Sequence, residues 1–332
     1  MNEANTILSA LLTHGMAVGD ALAREARKWD GPKPLVDDKG RVSCTKAQAQ
    51  PLVDAGLLEY QSSGSVGWLL THAGIAAAAK LVPVERLDLT AVIADCLSLP
   101  YFRPNDDGLV PIPYLWEKGD ADTKMVLVLG ENAGGKSFFR RIVRSITDGG
   151  HPGNFGTAKR DPGPYPVREM IHLSMEQRAG GGMASSMVYG SEQWCSTGDN
   201  SARTVTTGIK TALGRSHRNL IYWDEPDIGM SAGSAAGAGV SIREFADNPG
   251  PLVQAVFVTS HSPAMVHQLG QCKAKPHYLY LGNDKGPSTL AEWYKHQLAP
   301  PPISPAELAE KGNQRHTLIQ QILNRSKRKG KK

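Results

Sequence analysis

The stretch KMVLVLGENAGGKSFFRRI, residues 124–142, restricts the fold more than any other part of the chain. Five apolar residues, Met125 to Leu129, predict a buried strand of a parallel sheet. A glycine-rich turn follows, and FFRRIVRSI predicts a helix behind it. Inside the turn GENAGGKS, Gly130 to Ser137, fits the pattern G-x-x-x-x-G-K-[ST]. Each fixed position has a reason in phosphate chemistry. Gly130, Gly134 and Gly135 let the backbone curl so that successive N–H groups point at phosphate oxygens. The helix start adds partial positive charge. Lys136 can reach β- and γ-phosphates, and Ser137 can offer its hydroxyl to Mg²⁺. A plain glycine-rich turn is the competing reading, and the strand before and helix after it weigh against that.

Two later stretches predict strands that end in polar chemistry. NLIYWDEPD places Asp224 and Glu225 at the end of an apolar run, and AVFVTSHSP ends at His261. Parallel sheets collect ligands at the carboxyl ends of their strands, so these groups are expected at one crevice. Asp224 is the candidate to hold Mg²⁺. Glu225 is the candidate general base for an attacking water, and His261 the candidate contact to a terminal phosphate.

Upstream of the sheet, ANTILSALLTHGMAVGDALAREARK predicts one or two helices. VSCTKAQAQPLVDAGLLEYQSSGSVGWLLTHAGIAAAAKL reads as short helix, strand, turn, strand, and a helix capped by Thr71. That order resembles a winged-helix domain, which would offer Lys46, Gln48 and Gln50 for DNA contact. Pro51 departs from the pattern. It leaves open a helix that starts near Pro51, and a module that docks protein instead of DNA.

Leu87 to Leu97 predicts a helix, and the proline-dense run after it predicts extended or edge segments. Tyr114 and Trp116 there are either adenine-stacking candidates or packed aromatics. Residues 170–175, MIHLSM, predict a strand, and Ala202 to Ser216 a helix with Ala202, Val205, Ile209, Ala212 and Leu213 on one face. Ser304, Pro305 and Glu307 form a capping box for a helix to about Asn324, with a possible break near Gly312.

Taken in order, roughly residues 120–285 resemble the ABC-type ATPase superfamily of P-loop NTPases. The fold this implies is α/β with a mainly parallel sheet. The resemblance implies ATP and Mg²⁺ as ligands, hydrolysis, and a homodimer closed through the ATPase heads. It assigns Gly130, Asn132, Gly134, Gly135, Lys136, Ser137 and Phe138 to nucleotide, with Lys136, Glu225 and His261 catalytic. It assigns Ser137, Asp224 and a glutamine-loop residue to the metal. Gln177 and Gln193 both suit that last place, and Gln177 is carried as the metal candidate. CSTGDNSA resembles a divergent signature, which would set Ser196 and Gly198 on the partner's ATP, although the LSGGQ spelling is missing. DIGMS falls where the D-loop belongs and is also divergent.

Lys136 and Asp224 lie 88 residues apart, too close for coiled-coil arms and short for a transporter's helical lobe. GENAGGKS and the small-residue turn expected at GMSAGSAAGAG are similar to MutS, and TSHSP to RecF and OLD-type ATPases. These resemblances imply a compact, non-transporter ATPase of DNA maintenance or defence. Two readings compete with it: an ATP-gated DNA-binding regulator with negligible hydrolysis, and a defence ATPase acting on a protein effector.

The implied organisation is a winged-helix-like domain at 1–85, a connector at 86–123 and the ATPase domain at 124–298. A Pro-rich linker, helix and basic tail complete it at 299–332. That tail, RSKRKGKK, holds six of the 37 Lys and Arg, and without it 31 basic face 32 acidic residues. The pI of about 8.9 therefore comes from the tail, which suits nucleic acid, an acidic partner or a solvated end. Cys44, Cys96, Cys195 and Cys272 are scattered and read as free thiols in a reducing compartment. No apolar run reaches the ~18 residues of a membrane span. A cytoplasmic protein without a membrane partner is expected.

Overall fold

A computed structural model describes residues 3–14, 35–36, 42–43, 46–61, 67–81, 86–147, 165, 167, 169–174, 196–215, 217–298 and 303–329. The chain divides into two compact units. Met1–Arg86 forms the first with Lys210–Asn219 and Pro249–Gln254; Leu87–Ile209, Leu220–Asn248 and Ala255–Lys332 form the second.

The first unit begins with helix α1 (Glu3–His14) and a minimal antiparallel pair, β1 (Leu35–Val36) with β2 (Val42–Ser43). Helix α2 (Lys46–Asp54) then leads into an antiparallel hairpin, β3 (Leu58–Gln61) with β4 (Gly67–Leu70), and helix α3 (His72–Ala79). Pro51 lies inside α2, which runs through it from Lys46. The proline is tolerated because it faces solvent and the carbonyl it leaves unbonded belongs to exposed Ala47. Gln50 is bonded along the same helix to Asp54 at 2.7 Å. Gly56, at φ +68°, ends α2 in the left-handed region. Thr71 accepts from Gly74 N at 3.0 Å and donates to Gly56 O at 2.6 Å, so one side chain caps α3 and fixes the turn after α2. Ile7, Leu8, Leu11, Leu52, Leu58 and Ile75 make the core, joined by Leu252 from the third chain segment of this unit.

The second unit is α/β. Its six-stranded sheet is mixed and mostly parallel, in the order β5 (Tyr114–Glu117), β10 (His277–Leu281), β6 (Met125–Gly130), β9 (Val253–Thr259), β8 (Asn219–Asp224), β7 (Glu169–Ser174). β5 runs antiparallel to β10, with Trp116 opposite Leu279. β10 and β9 flank β6 in parallel, with Leu279 opposite Val128 and Phe257 opposite Val126. Every residue of β9 and β10 is buried, as are the first five of β6. Buried apolar runs of that kind need cover on both faces.

Seven helices are described in this unit or lead into it: α4 (Leu89–Leu97), α5 (Lys136–Thr147), α6 (Thr197–Leu213), α7 (Ala232–Asp247), α8 (Pro263–Leu269), α9 (Leu290–Leu298) and α10 (Pro305–Lys329). Val126, Val128, Phe139, Val143, Tyr222 and Phe257 belong to one core, with Tyr222 stacked on Phe257 at 5.5 Å.

Several boundaries differ from expectation for local reasons. α4 starts at Leu89 because Asp88 caps it, accepting from Ala91 N at 3.0 Å, while Leu87 packs into the core. α6 starts at Thr197, five residues earlier than its apolar face announces. The residues expected as a small-residue turn form α7 instead, capped by Ser231. α10 shows its capping box, with Glu307 N to Ser304 Oγ at 3.2 Å and Ser304 N to Glu307 Oε2 at 2.8 Å. It continues unbroken through Gly312 to Lys329. Cys96 and Cys272 are free thiols, while Cys44 and Cys195 lie outside the described residues. Among the described residues no helix is long and apolar enough to cross a membrane.

Candidate functional site

The turn between β6 and α5 adopts conformations that ordinary residues avoid. Gly130 has φ +142°, Ala133 +56° and Gly135 +99°. A Cβ on Gly130 would stand 2.2 Å from the Leu281 carbonyl oxygen, and one on Gly134 2.6 Å from the same atom. The end of β10 therefore excludes side chains at both places. The turn closes through Gly134 N to Glu131 O at 2.9 Å.

Lys136 opens α5 and folds back over the turn. Its Nζ donates to Glu131 O at 2.9 Å and to Gly130 O at 3.3 Å. The side chain is buried, and burial pulls its pKa down to about 8, against the opposing pull of the Glu225 and Asp224 charges. Ser137, next along, is exposed and lies 3.4 Å through Oγ from Asp224 Oδ2.

Asp224 is the last residue of β8. Its Oδ2 also takes a 3.0 Å ion pair from Arg140 Nη1, with the two side chains only 10% and 4% exposed. The same Arg140 nitrogen meets His172 Nε2 of β7. Glu225 has a left-handed φ of +56°, and its N–H donates to the Thr259 carbonyl at the end of β9, 2.9 Å away. β9 lies between β6 and β8, and the chain leaving it carries His261 to Glu225. His261 Nε2 stands 3.4 Å from Glu225 Oε1. That hydrogen bond holds the Glu225 carboxyl below its usual range, burial opposes it, and the His261 and Lys136 charges add to the lowering. Asp227, two residues on, is pushed up by burial, with Oδ1 buried and unbonded.

Gly130, Gly134, Gly135, Lys136, Ser137, Asp224, Glu225 and His261 thus meet at one sheet edge. Ser196 and Gly198 form a second group at the N-terminus of α6. Ser196 caps that helix, accepting from Asp199 N at 3.1 Å and donating to Asp199 Oδ2 at 2.7 Å. Gly198 abuts the loop after β8, where a Cβ would stand 2.7 Å from Gly229 O, and Ser201 donates to Ile228 O at 2.7 Å. Asn132 is exposed at the tip of the turn. Phe138 lies edge-on to Tyr101 at 4.8 Å. Tyr114 meets Phe102, and Trp116 tilts against His277, so both rings are engaged in packing. Gln177 and Gln193 lie outside the described residues.

The donor set fits Mg²⁺ with a phosphate ligand. Ser137 and Asp224 offer hard oxygens side by side, and Mg²⁺ is held by one or two carboxylates together with substrate phosphates. Among the described residues no group of three or more His, Cys, Asp or Glu could hold a metal. The glycine cradle and buried Lys136 would supply the anion side of such a site.

Compared with family models, curated proteins and solved structures, the chain matches none. The site therefore rests on its own geometry. Sequence reasoning missed Arg140, His172, Thr259 and, from α10, Lys311 and Arg315. For Arg140 a signal existed: it falls on the helical line of Lys136, Phe139 and Val143, the buried face of α5. The others join the site through bonds to residues far away in the sequence.

Proposed function

We propose that the chain is an ATP-binding and ATP-hydrolysing protein of the ABC type. On this reading two heads close around ATP and the closure drives a conformational change in a DNA-maintenance or defence process. One observation carries the proposal: a glycine cradle with a buried lysine, an Asp–Glu pair and a histidine converge at the ends of three neighbouring strands.

Each residue then has a task. The turn's backbone and Lys136 bind and orient phosphate; today's bonds of Lys136 to Glu131 O and Gly130 O hold the ammonium over the cradle. Ser137 and Asp224 would hold Mg²⁺, which when bound neutralises charge on the phosphates. Arg140 aims Asp224 through their 3.0 Å ion pair. Glu225 remains a carboxylate at neutral pH and accepts a proton from water, and His261 steadies that carboxylate from the other side. Ser196 and Gly198, at a helix N-terminus, suit an anion presented by a second copy.

The helix–hairpin–helix order of the first unit supports a winged-helix-like docking module. The basic end of α10 suits DNA or an acidic protein effector. A second reading, a nucleotide switch with negligible turnover, is favoured by the partners already on both carboxylates, the Arg140 guanidinium on Asp224 and the His261 ring on Glu225. Titration with ATP and Mg²⁺, followed by phosphate release with and without duplex DNA at two salt concentrations, separates these. Release that DNA stimulates and salt suppresses supports a DNA-dependent ATPase. Tight binding without release supports the switch. No binding of ATP refutes both.

A further inference from the structure

We infer that Arg315 of α10 is a positioning residue of the nucleotide site: it braces the glycine-rich turn in its phosphate-ready shape without touching phosphate. The inference rests on the ATP reading above and extends it to a helix that lies far from the motif in sequence.

The turn is gripped from two sides. Beneath it, the end of β10 presses so closely that Gly130 and Gly134 admit no side chain. Above it, one face of α10 presents Lys311, Gly312 and Arg315. Arg315 donates through Nη1 to the carbonyl of Ala133 and through Nη2 to the carbonyl of Gly282, the latter at 2.8 Å. One guanidinium therefore ties the turn to the residue that follows β10. Lys311 Nζ sits 3.3 Å from Glu131 Oε2, and Asn283 Nδ2 donates to Glu131 Oε1 at 3.1 Å. Gly312 is the residue of α10 that faces Ala133, where even a Cβ would lie at 3.7 Å from the Ala133 Cβ. Ile319 and Ile322, one and two turns further on, pack into the core and seat the helix.

Ala133 is the reason such a brace is needed. It is a non-glycine residue at φ +56°, a conformation that persists when surrounding bonds over-determine it. Its carbonyl is the atom Arg315 holds. A planar fork suits two carbonyls at fixed separation, and a lysine ammonium at the same place satisfies one well. With the turn held before nucleotide arrives, binding need not order it. Loss of the brace accordingly weakens binding and leaves the chemistry of the bound state intact.

The test uses the full chain as wild type, Arg315→Ala and Arg315→Lys. Amide hydrogen exchange across residues 131–137 is read without nucleotide, and ATP affinity, KM and kcat are read in parallel. The expected result for Arg315→Ala is exchange in the turn and an ATP dissociation constant each raised about tenfold, the size of losing bonds from a charged donor. KM rises with them, while kcat at saturation and exchange in β6 and β9 stay at wild-type values. Arg315→Lys, which keeps the packed stem, is expected to fall between. Added guanidinium ion should restore affinity to Arg315→Ala and to no other variant. Wild-type exchange and affinity in Arg315→Ala would overturn the inference, as would equal losses in KM and kcat that guanidinium does not repair. A wild-type chain that binds no ATP would refute the nucleotide reading, while the exchange arm would still decide whether Arg315 braces the turn.

Discussion

Arg140 is the residue on which the geometry of Asp224 turns. The pair is nearly closed to water, so removing the cation leaves a buried carboxylate without its ion pair. Arg140→Met is expected to cost about 3–5 kcal/mol in urea unfolding, the range for breaking a buried pair, and Arg140→Met with Asp224→Asn should recover part of it. A loss below about 1 kcal/mol would mean the pair is solvated and contributes little. Lys136 gives a second residue-scale expectation. Its protonated form binds the anion, and burial brings its pKa down to about 8. ATP affinity should therefore hold below that pH and decline as pH rises through and above it, and Lys136→Arg should remove the decline. A flat wild-type profile to pH 10 (on the order of two units past the midpoint) would contradict the burial of the charged lysine. The motif residues were legible because phosphate chemistry fixes type and spacing in one short stretch. His172 and Arg315 were not, since their partners lie 32 and 182 residues away in sequence.

At the scale of elements, caps were easy to read and glycine-rich segments were not. Ser304 with Glu307 and Thr71 both cap as their spacing indicates, because a cap is decided within four residues. AGSAAGAGVSIREFAD misled because its glycines suggest a turn. In the fold Ser231 caps it and Gly239 lies against α8, where a Cβ would stand 2.8 Å from Met265 O. Gly233 and Gly237 differ, since a Cβ at either meets nothing within 4 Å. Gly233→Ala and Gly237→Ala should each stabilise the monomer by roughly 0.5–1 kcal/mol, measured as a raised urea midpoint with an unchanged slope. Destabilisation by either would show that α7 needs those glycines in the isolated chain. Gly239→Val, by contrast, should destabilise, because the contact is backbone and cannot yield.

For the molecule as a whole, linear reading drew a first domain at residues 1–85. The compact unit also takes Lys210–Asn219 and Pro249–Gln254, and Leu252 is buried in its core. Nothing local in PLVQAV marks Leu252 as belonging there. Its neighbours are chosen by a packing that spans most of the chain. The ATPase reading sets a further whole-molecule expectation. Glu225→Gln should bind ATP, turn over slowly and accumulate as a dimer whose mass in light scattering is twice that of the nucleotide-free form. Loss of the dimer in Ser196→Arg, with ATP binding intact, would place the α6 N-terminus at the shared site.

The most direct measurement is steady-state phosphate release from ATP and Mg²⁺ by the wild type, Glu225→Gln and Lys136→Ala, with ATP binding measured on the same samples. The expected pattern is release by the wild type, binding with a loss of about 10²-fold or more in release for Glu225→Gln, and neither for Lys136→Ala. Equal release from wild type and Glu225→Gln would remove Glu225 from the chemistry, and ATP affinity unchanged in Lys136→Ala would contradict the site itself.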